Sequence, residues 1–333
     1  MPQNKRLLAL AAAAVAASLL TVPPARAAKT LTVVAGLAKT HDQVVSFFQD
    51  FFNPLNAANG PIHLRFIGGP EVTPAKEQGA ALKRGLVDIL FGPSSYYAGL
   101  VPEARLTAPT NRSSAEIRAI GGMKKLQAAW KKGINARILA WPFSGGSKFN
   151  IYTTFKPTLS KKTGIDLAGH KMRTTALYNP FIKAMHGTPI VISAGEVYTA
   201  LQRGLVTGLA WPEGAIAKYG WQKFIKYRID PGFWRSSSML VINLDKWNAL
   251  SADEKAFLNT WALKFEKDGG KTLRKFADID NAKIFKAGVK KVELKGEYEK
   301  AYLRTVNGST WADAKARKLT VPYKTIRAVM LKE

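Results

Sequence analysis

Among the residues able to do chemistry, one cation stands apart by context. Arg173 closes Asp166-Leu167-Ala168-Gly169-His170-Lys171-Met172-Arg173-Thr174, a turn leading into a short strand, which puts its guanidinium on a strand rather than on a solvated helix face. There it could present a two-pronged donor to a carboxylate. A salt bridge at a strand edge or between lobes is the plainer alternative. His41, His63, His170 and His186 are dispersed, without metal-ligand spacing such as H-E-x-x-H, and no G-x-S-x-G nucleophile elbow occurs. The chain has no cysteine, which removes thiolate nucleophiles, disulfides and cysteine-held metal clusters. Gly269-Gly270-Lys271-Thr272 has the ending of a phosphate loop, but Phe265 stands where that motif needs glycine and the flanks are helical and charged. No catalytic residues, metal or cofactor are expected.

The elements that position Arg173 follow from periodicity. Short apolar runs alternate with helical patterns from Leu31 onward, which predicts α/β layers with mostly parallel strands. Leu31 to Gly36 reads as a buried strand, Asp42 to Ala58 as a helix with a phenylalanine-rich face, and Ile62 to Ile67 as a second strand. Thr73 is expected to cap a helix with Pro74 in its first turn, Gly85 to end it, and Leu86 to Phe91 to form a third strand.

An internal repeat organises the chain. Sliding the sequence by 119 residues aligns Gly68 to Pro93 with Gly187 to Pro212, without a gap, at 13 identities in 26 positions. Each copy reads as strand end, turn, helix, glycine stop, buried strand and Pro-containing turn. Two copies this far apart, in 333 residues, imply two similar α/β lobes rather than a solenoid. Ligands bind beyond the carboxyl ends of strands in such sheets, which singles out Phe91 to Tyr97 and Ala210 to Gly214 facing each other across a cleft. Ser193 and Glu196 form a capping box and are expected to be structural.

The amino terminus carries Lys5 and Arg6, the apolar run Leu7 to Leu20, and Ala25-Arg26-Ala27, the pattern of a cleavable secretory signal peptide. The mature chain is then expected to start near Ala28. Removing Lys5, Arg6 and Arg26 lowers the net charge of +27 by only three, so the basic excess belongs to the mature protein. Its cations never run longer than two in a row, which speaks against nucleic acid; an anionic membrane surface or attraction of anionic solutes are the other uses of such a charge.

The ordered set Gly169-His170-Lys171-Met172-Arg173-Thr174, Glu196 to Gly204, Gly208 to Pro212, Ala80 to Asp88 and Val241 to Ser251 resembles the solute-binding proteins of tripartite ATP-independent periplasmic (TRAP) transporters. The resemblance covers nearly the whole mature chain. It implies a monomeric, two-lobed periplasmic receptor, type II-like, with a hinge, an interlobe cleft and a helical carboxyl-terminal region. It further implies delivery of an organic acid to a membrane permease, with Arg173 holding the ligand carboxylate. Where many relatives read Glu-Asn-Pro, this chain has Ala210-Trp211-Pro212, exchanging a polar contact for an aromatic surface.

The expected domains are residues 28–152 plus about 236–280 (lobe I), 153–235 (lobe II) and 281–333 (bracing helices). The expected site is Arg173 on the carboxylate, Trp211, Phe149 and Tyr178 on the ligand body, and Ser94, Ser95, Tyr96, Asn150 or the Lys39/His41 loop on its polar groups. An aromatic or branched monocarboxylate suits this set better than a small dicarboxylate. A receptor for an ATP-driven importer, binding another small anion or an amino acid, is the alternative with the same two-lobed design.

Overall fold

The computed structural model describes residues 28–144 and 146–332; the expected signal peptide, residues 1–27, lies outside them. Thirteen strands among the described residues form three sheets. Along the chain they are β1 Lys29–Ala35, β2 Ile62–Gly68, β3 Ile89–Pro93, β4 Ala136–Ala140, β5 Phe149–Thr153, β6 Thr158–Ser160, β7 Gly164–Asp166, β8 Lys171–Thr174, β9 Thr188–Val191, β10 Gly208–Pro212, β11 Tyr227–Phe233, β12 Ser238–Asn243 and β13 Lys290–Glu293.

The first sheet runs β2-β1-β3-β12-β4, with β1 parallel to β2 and β3, and β12 antiparallel to β3 and β4. The second runs β13-β11-β5-β10-β8-β9; β8, β9 and β10 are parallel, and β5 is antiparallel to β10 and β11. Strands β6 and β7 form a small separate pair. The architecture is therefore two α/β lobes, each with apolar clusters on both faces of its sheet. Alternation along the strands divides the residues: Val34 and Leu90 enter one cluster while Val33, Ile89 and Phe91 enter the other. Burial on both faces is why these strands read as near-continuous apolar runs.

The chain crosses between sheets after β4 and returns between β11 and β12. Strand β5 already belongs to the second sheet, whereas the sequence reading kept residues to 152 with the first. The pattern of β5 is buried throughout and suits either sheet; only its pairing with β10 and β11 assigns it. The helix Ala252–Lys286 is 35 residues long, about 52 Å at 1.5 Å per residue. Its Leu258, Ala262, Phe265 and Leu273 pack in the first lobe and its Ile284 in the second. Bracing of the lobes thus begins well before residue 281. The Gly-Gly-Lys-Thr segment lies inside this helix, with no strand before it.

Both repeat copies fold as a strand, a turn, a short helix and a strand: β2, Gln78–Lys83 and β3 in one lobe, β9, Val197–Gln202 and β10 in the other. Gly85 and Gly204 take φ of +71° and +67°, the left-handed conformation that ends each helix and that glycine adopts without strain. Two boundaries differ from expectation. Glu77 N donates to Pro74 O, closing a turn, and the helix starts only at Gln78, so Thr73 is not its cap. Leu86 N donates back to Ala81 O in the reversal that follows Gly85, which holds Leu86 exposed and delays β3 to Ile89. The expected helix from Asp42 does span Asp42–Ala57, interrupted by a π turn at Phe48–Phe52.

Candidate functional site

The carboxyl ends of β3 and β10 meet across the lobes. Pro93 and Pro212, equivalent residues of the repeat, line the same cavity of about 40 Å³. A wider groove of about 1010 Å³ shares Leu37, Ser95, Tyr96, Arg173 and Thr175 with it and opens outward between the repeat turns around Pro74 and Ser193. The backbone after β1 passes close to β3 just before Pro93: a Cβ on Gly92 would lie 3.0 Å from the Gly36 backbone, so a side chain there would need the two segments to move apart.

Arg173 reaches the cavity from β8, between β10 and β9. It is 1% exposed. Its Nε donates to Ile192 O at 3.2 Å, but Nη1 and Nη2 have no hydrogen-bond partner in the protein. The guanidinium carbon sits 5.0 Å from the centroid of the Trp211 ring. Desolvation lowers the pKa of Arg173, but a guanidinium starts so far into the basic range that the group stays charged at neutral pH. The strand-edge salt bridge is thus not what Arg173 makes: it is a buried cation with two donors to spare. Of the side chains lining the cavity it is the only charged one.

Aromatic walls surround it. Trp211, Phe149, Tyr178 and Tyr96 all line the cavity. Phe149 and Tyr178 pack at 5.8 Å in the second lobe. Burial pushes the phenols of Tyr96 and Tyr178 up, against a smaller opposing pull from Arg173, so both stay neutral donors. Trp211 stacks edge-on against Trp221 at 4.9 Å and keeps its Nε1 without a partner.

His41 supplies the roof. It caps the helix Asp42–Phe47: its Nδ1 accepts from Gln43 N at 3.1 Å, in the usual N-cap role of a side-chain acceptor. Burial lowers its pKa to about 4, with Asp42 opposing and Lys218 assisting, so the ring is neutral at pH 7. Beside it, Asp42 of the first lobe pairs with Lys218 of the second at 2.7 Å.

Two of the expected residues do not reach the cavity. The Ser94 hydroxyl is buried against Ala104 O and Thr107 Oγ1, tying the strand end to the next turn. Asn150 donates to Ile229 O and Asp230 Oδ1 across the second sheet. The Ser94 hydroxyl and the Asn150 amide nitrogen are thus consumed by their own scaffold, while Asn150 Oδ1 stays buried without a partner. Lys39 lies over the Phe48 ring, and Lys148 is exposed. Conversely, Gln43, Thr175, Leu177 and the run Ser236-Ser237-Ser238 line the cavity without having been singled out. Gln43 bridges Ser236 and Ser238 across almost two hundred residues of sequence. Three serines entering an otherwise apolar strand were the available signal.

A family model described as "Bacterial extracellular solute-binding protein, family 7" (DctP) matches residues 34–317. A "Solute-binding protein" of Verminephrobacter eiseniae is 31% identical over 232 residues, 66% of this chain and 64% of that protein. A "Monocarboxylate 2-oxoacid-binding periplasmic protein" of Nostoc sp. is 24% identical over 212 residues, 61% of this chain and 56% of that protein. The matched region thus spans less than two thirds of these two relatives. Among solved structures, a TRAP transporter solute-binding protein of Bordetella bronchiseptica with copurified calcium and picolinate superimposes with a TM-score of 0.78 at 18% identity, covering 91% of this chain and 92% of that one. A Bordetella pertussis extracytoplasmic solute receptor binding pyroglutamic acid gives 0.76 at 17%, covering 91% and 99%. The two solved structures share the two-lobed fold seen here. The match across residues 34–317 establishes the lineage: this chain belongs to the bacterial extracellular solute-binding proteins of family 7.

Proposed function

We propose that the protein is the extracytoplasmic receptor of a TRAP transporter, which binds an organic monocarboxylate between its lobes and hands it to the membrane permease. One observation carries this reading: the buried Arg173 guanidinium with two unpartnered nitrogens in the interlobe cavity. A buried polar group without a partner is costly, and a charged one more so. A carboxylate fits both the charge and the fork geometry. With no second cation in the lining, one negative charge is what the cavity neutralises. The aromatic walls suit a flat or branched body.

The relatives named for monocarboxylate 2-oxoacids, picolinate and pyroglutamic acid bind ligands of this class, and that supports the reading. Export through the expected signal peptide, a monomeric state and docking to permease subunits belong to the same proposal. Among the described residues no three His, Asp or Glu side chains gather as a metal site.

The test is a thermal-shift screen of the mature protein against aliphatic, keto, hydroxy and aromatic acids, with amino acids and neutral sugars as controls. Ligand at about 100 times its Kd should stabilise by about 2.7 kcal/mol. Stabilisation confined to monocarboxylates is expected; a response to sugars alone would overturn the proposal.

A further inference from the structure

We propose that His41 is a specificity-determining residue: through a neutral Nε2–H it reads an acceptor oxygen on the ligand other than those of the carboxylate. This rests on the monocarboxylate reading and narrows it.

The tautomer follows from the backbone. The partner of Nδ1 is the amide of Gln43, which can only donate, so Nδ1 carries a lone pair and the proton of the neutral ring is on Nε2. Protonating the ring would place a second hydrogen against that amide and destroy the helix cap. Burial acts in the same direction and keeps the ring uncharged. The groups facing it are Asp42 and Lys218, which pair with each other, and the rings of Trp211 and Tyr219, 6.1 and 6.0 Å away between centroids. With Nδ1 turned to the backbone, the opposite edge of the ring is the one available to the cavity it lines.

Arg173 and His41 line one cavity, each beside the Trp211 ring. The first is a permanent cation for the carboxylate, and the second is an uncharged donor. A carbonyl or hydroxyl oxygen satisfies that donor. A ligand ammonium cannot, and the inner cavity that His41 lines holds no carboxylate to receive one, Glu71, Glu77 and Glu196 lining only the outer groove. Hence 2-amino acids are rejected at neutral pH by an unmet charge rather than by size, and deoxygenated acids by an unmet donor. A site built around a donor discriminates in this way because the analogue leaves it unpaired.

The experiment uses His41→Asn, whose side-chain oxygen can still cap Gln43 N but whose shorter chain brings no donor to the cavity. Wild type and variant are titrated calorimetrically with phenylacetate, 4-hydroxyphenylacetate, 3-phenylpropionate, phenylpyruvate and phenylalanine. Wild type is expected to favour the better of the oxygenated acids over its deoxy congener by tenfold or more, and to ignore phenylalanine. In His41→Asn that preference should fall below about threefold, through weaker binding of the oxygenated acid and a gain for the deoxy acid, which no longer leaves a donor unpaired. An undiminished preference in the variant overturns the role of His41 and leaves the monocarboxylate reading standing. Absence of binding of every acid by wild type overturns both. If His41→Asn melts early, His41→Ser, which can also cap Gln43 N and reaches no further into the cavity, repeats the titration with the same criteria.

Discussion

The Arg173 guanidinium lies over the face of Trp211, 5.0 Å from the ring centroid, with the two residues on adjacent parallel strands. Stacking on the indole orients the planar fork and helps to hold the charge in a desolvated place, for about 0.5–2 kcal/mol. It also leaves the Nη edge free, since Nε alone is tied to the backbone. The resemblance to TRAP receptors leads one to expect a polar residue at 211; the aromatic one makes the arginine's companion a wall instead of a second hydrogen-bonding group.

Replacing Arg173 by Ala should cost about 2–5 kcal/mol in carboxylate binding, measured by calorimetry, because the anion would be buried unpaired. Arg173→Lys keeps the charge but loses the fork and the stacking, and should recover only part of the affinity. The unliganded variants should melt no lower than wild type, since an unpartnered buried cation does not favour the folded state. Equal ligand affinity in Arg173→Ala would remove Arg173 from the site.

Trp211→Ala removes both the wall and the ring under the guanidinium. Affinity for aromatic acids should fall about tenfold or more, and for acetate-sized acids much less, as read from the same titrations. Trp211→Asn introduces amide donors and an acceptor in the wall, and should shift preference toward acids richer in hydroxyls.

Much of this arrangement is legible in the sequence because it is repeated. The 119-residue offset locates two strand ends, and those ends do meet at Pro93 and Pro212. The position of Arg173 on a strand follows from the turn before it. What stays hidden is the facing of single polar side chains. Ser94 and Ser95 are neighbours in the same turn, yet the first is tied to Ala104 and Thr107 while the second lines the cavity, a one-residue alternation that composition does not encode. Gln43, on the helix that starts at Asp42, meets Ser236 and Ser238 where β12 begins beside the end of β3, a long-range contact with no local mark beyond serines leading into an apolar strand.

Lys218→Ala breaks the 2.7 Å pair with Asp42, one of the polar links between lobes beside the cavity. The pair is partly exposed, so its contribution should be under about 1 kcal/mol. The expected signature is kinetic: a several-fold faster ligand off-rate by stopped flow with little change in on-rate, because the contact forms once the lobes have closed. A slowed on-rate with an unchanged off-rate would place the contact before closure instead.

The high net charge makes a separate prediction about encounter. With +27 on the chain, anion capture should be steered, and the association rate should fall as salt rises from about 20 to 300 mM while the off-rate stays nearly constant. A salt-independent on-rate would mean the cations serve another purpose.

His41 predicts how stability responds to acid. Its pKa is lowered from 6.5 to about 4 in the folded protein, while in the unfolded chain it titrates near 6.5. Between these values the unfolded chain binds the extra proton, so the unfolded state gains as pH falls. The neutral histidine therefore costs nothing above about pH 7 and progressively destabilises the fold from pH 6.5 down to about 4, by about 3 kcal/mol at the lower limit. His41→Asn caps the same helix without titrating. Its melting temperature relative to wild type should thus rise as the buffer goes from pH 7.5 to 4.5, with the groups common to both proteins cancelling in the difference. Ligand binding should repeat the pattern, since protonation at Nδ1 breaks the bond to Gln43 N and loosens the start of the helix on which His41 sits. A difference that does not change with pH would show that His41 titrates in the folded protein as it does in the unfolded chain, and a change of the opposite sign would show that it is charged in the fold.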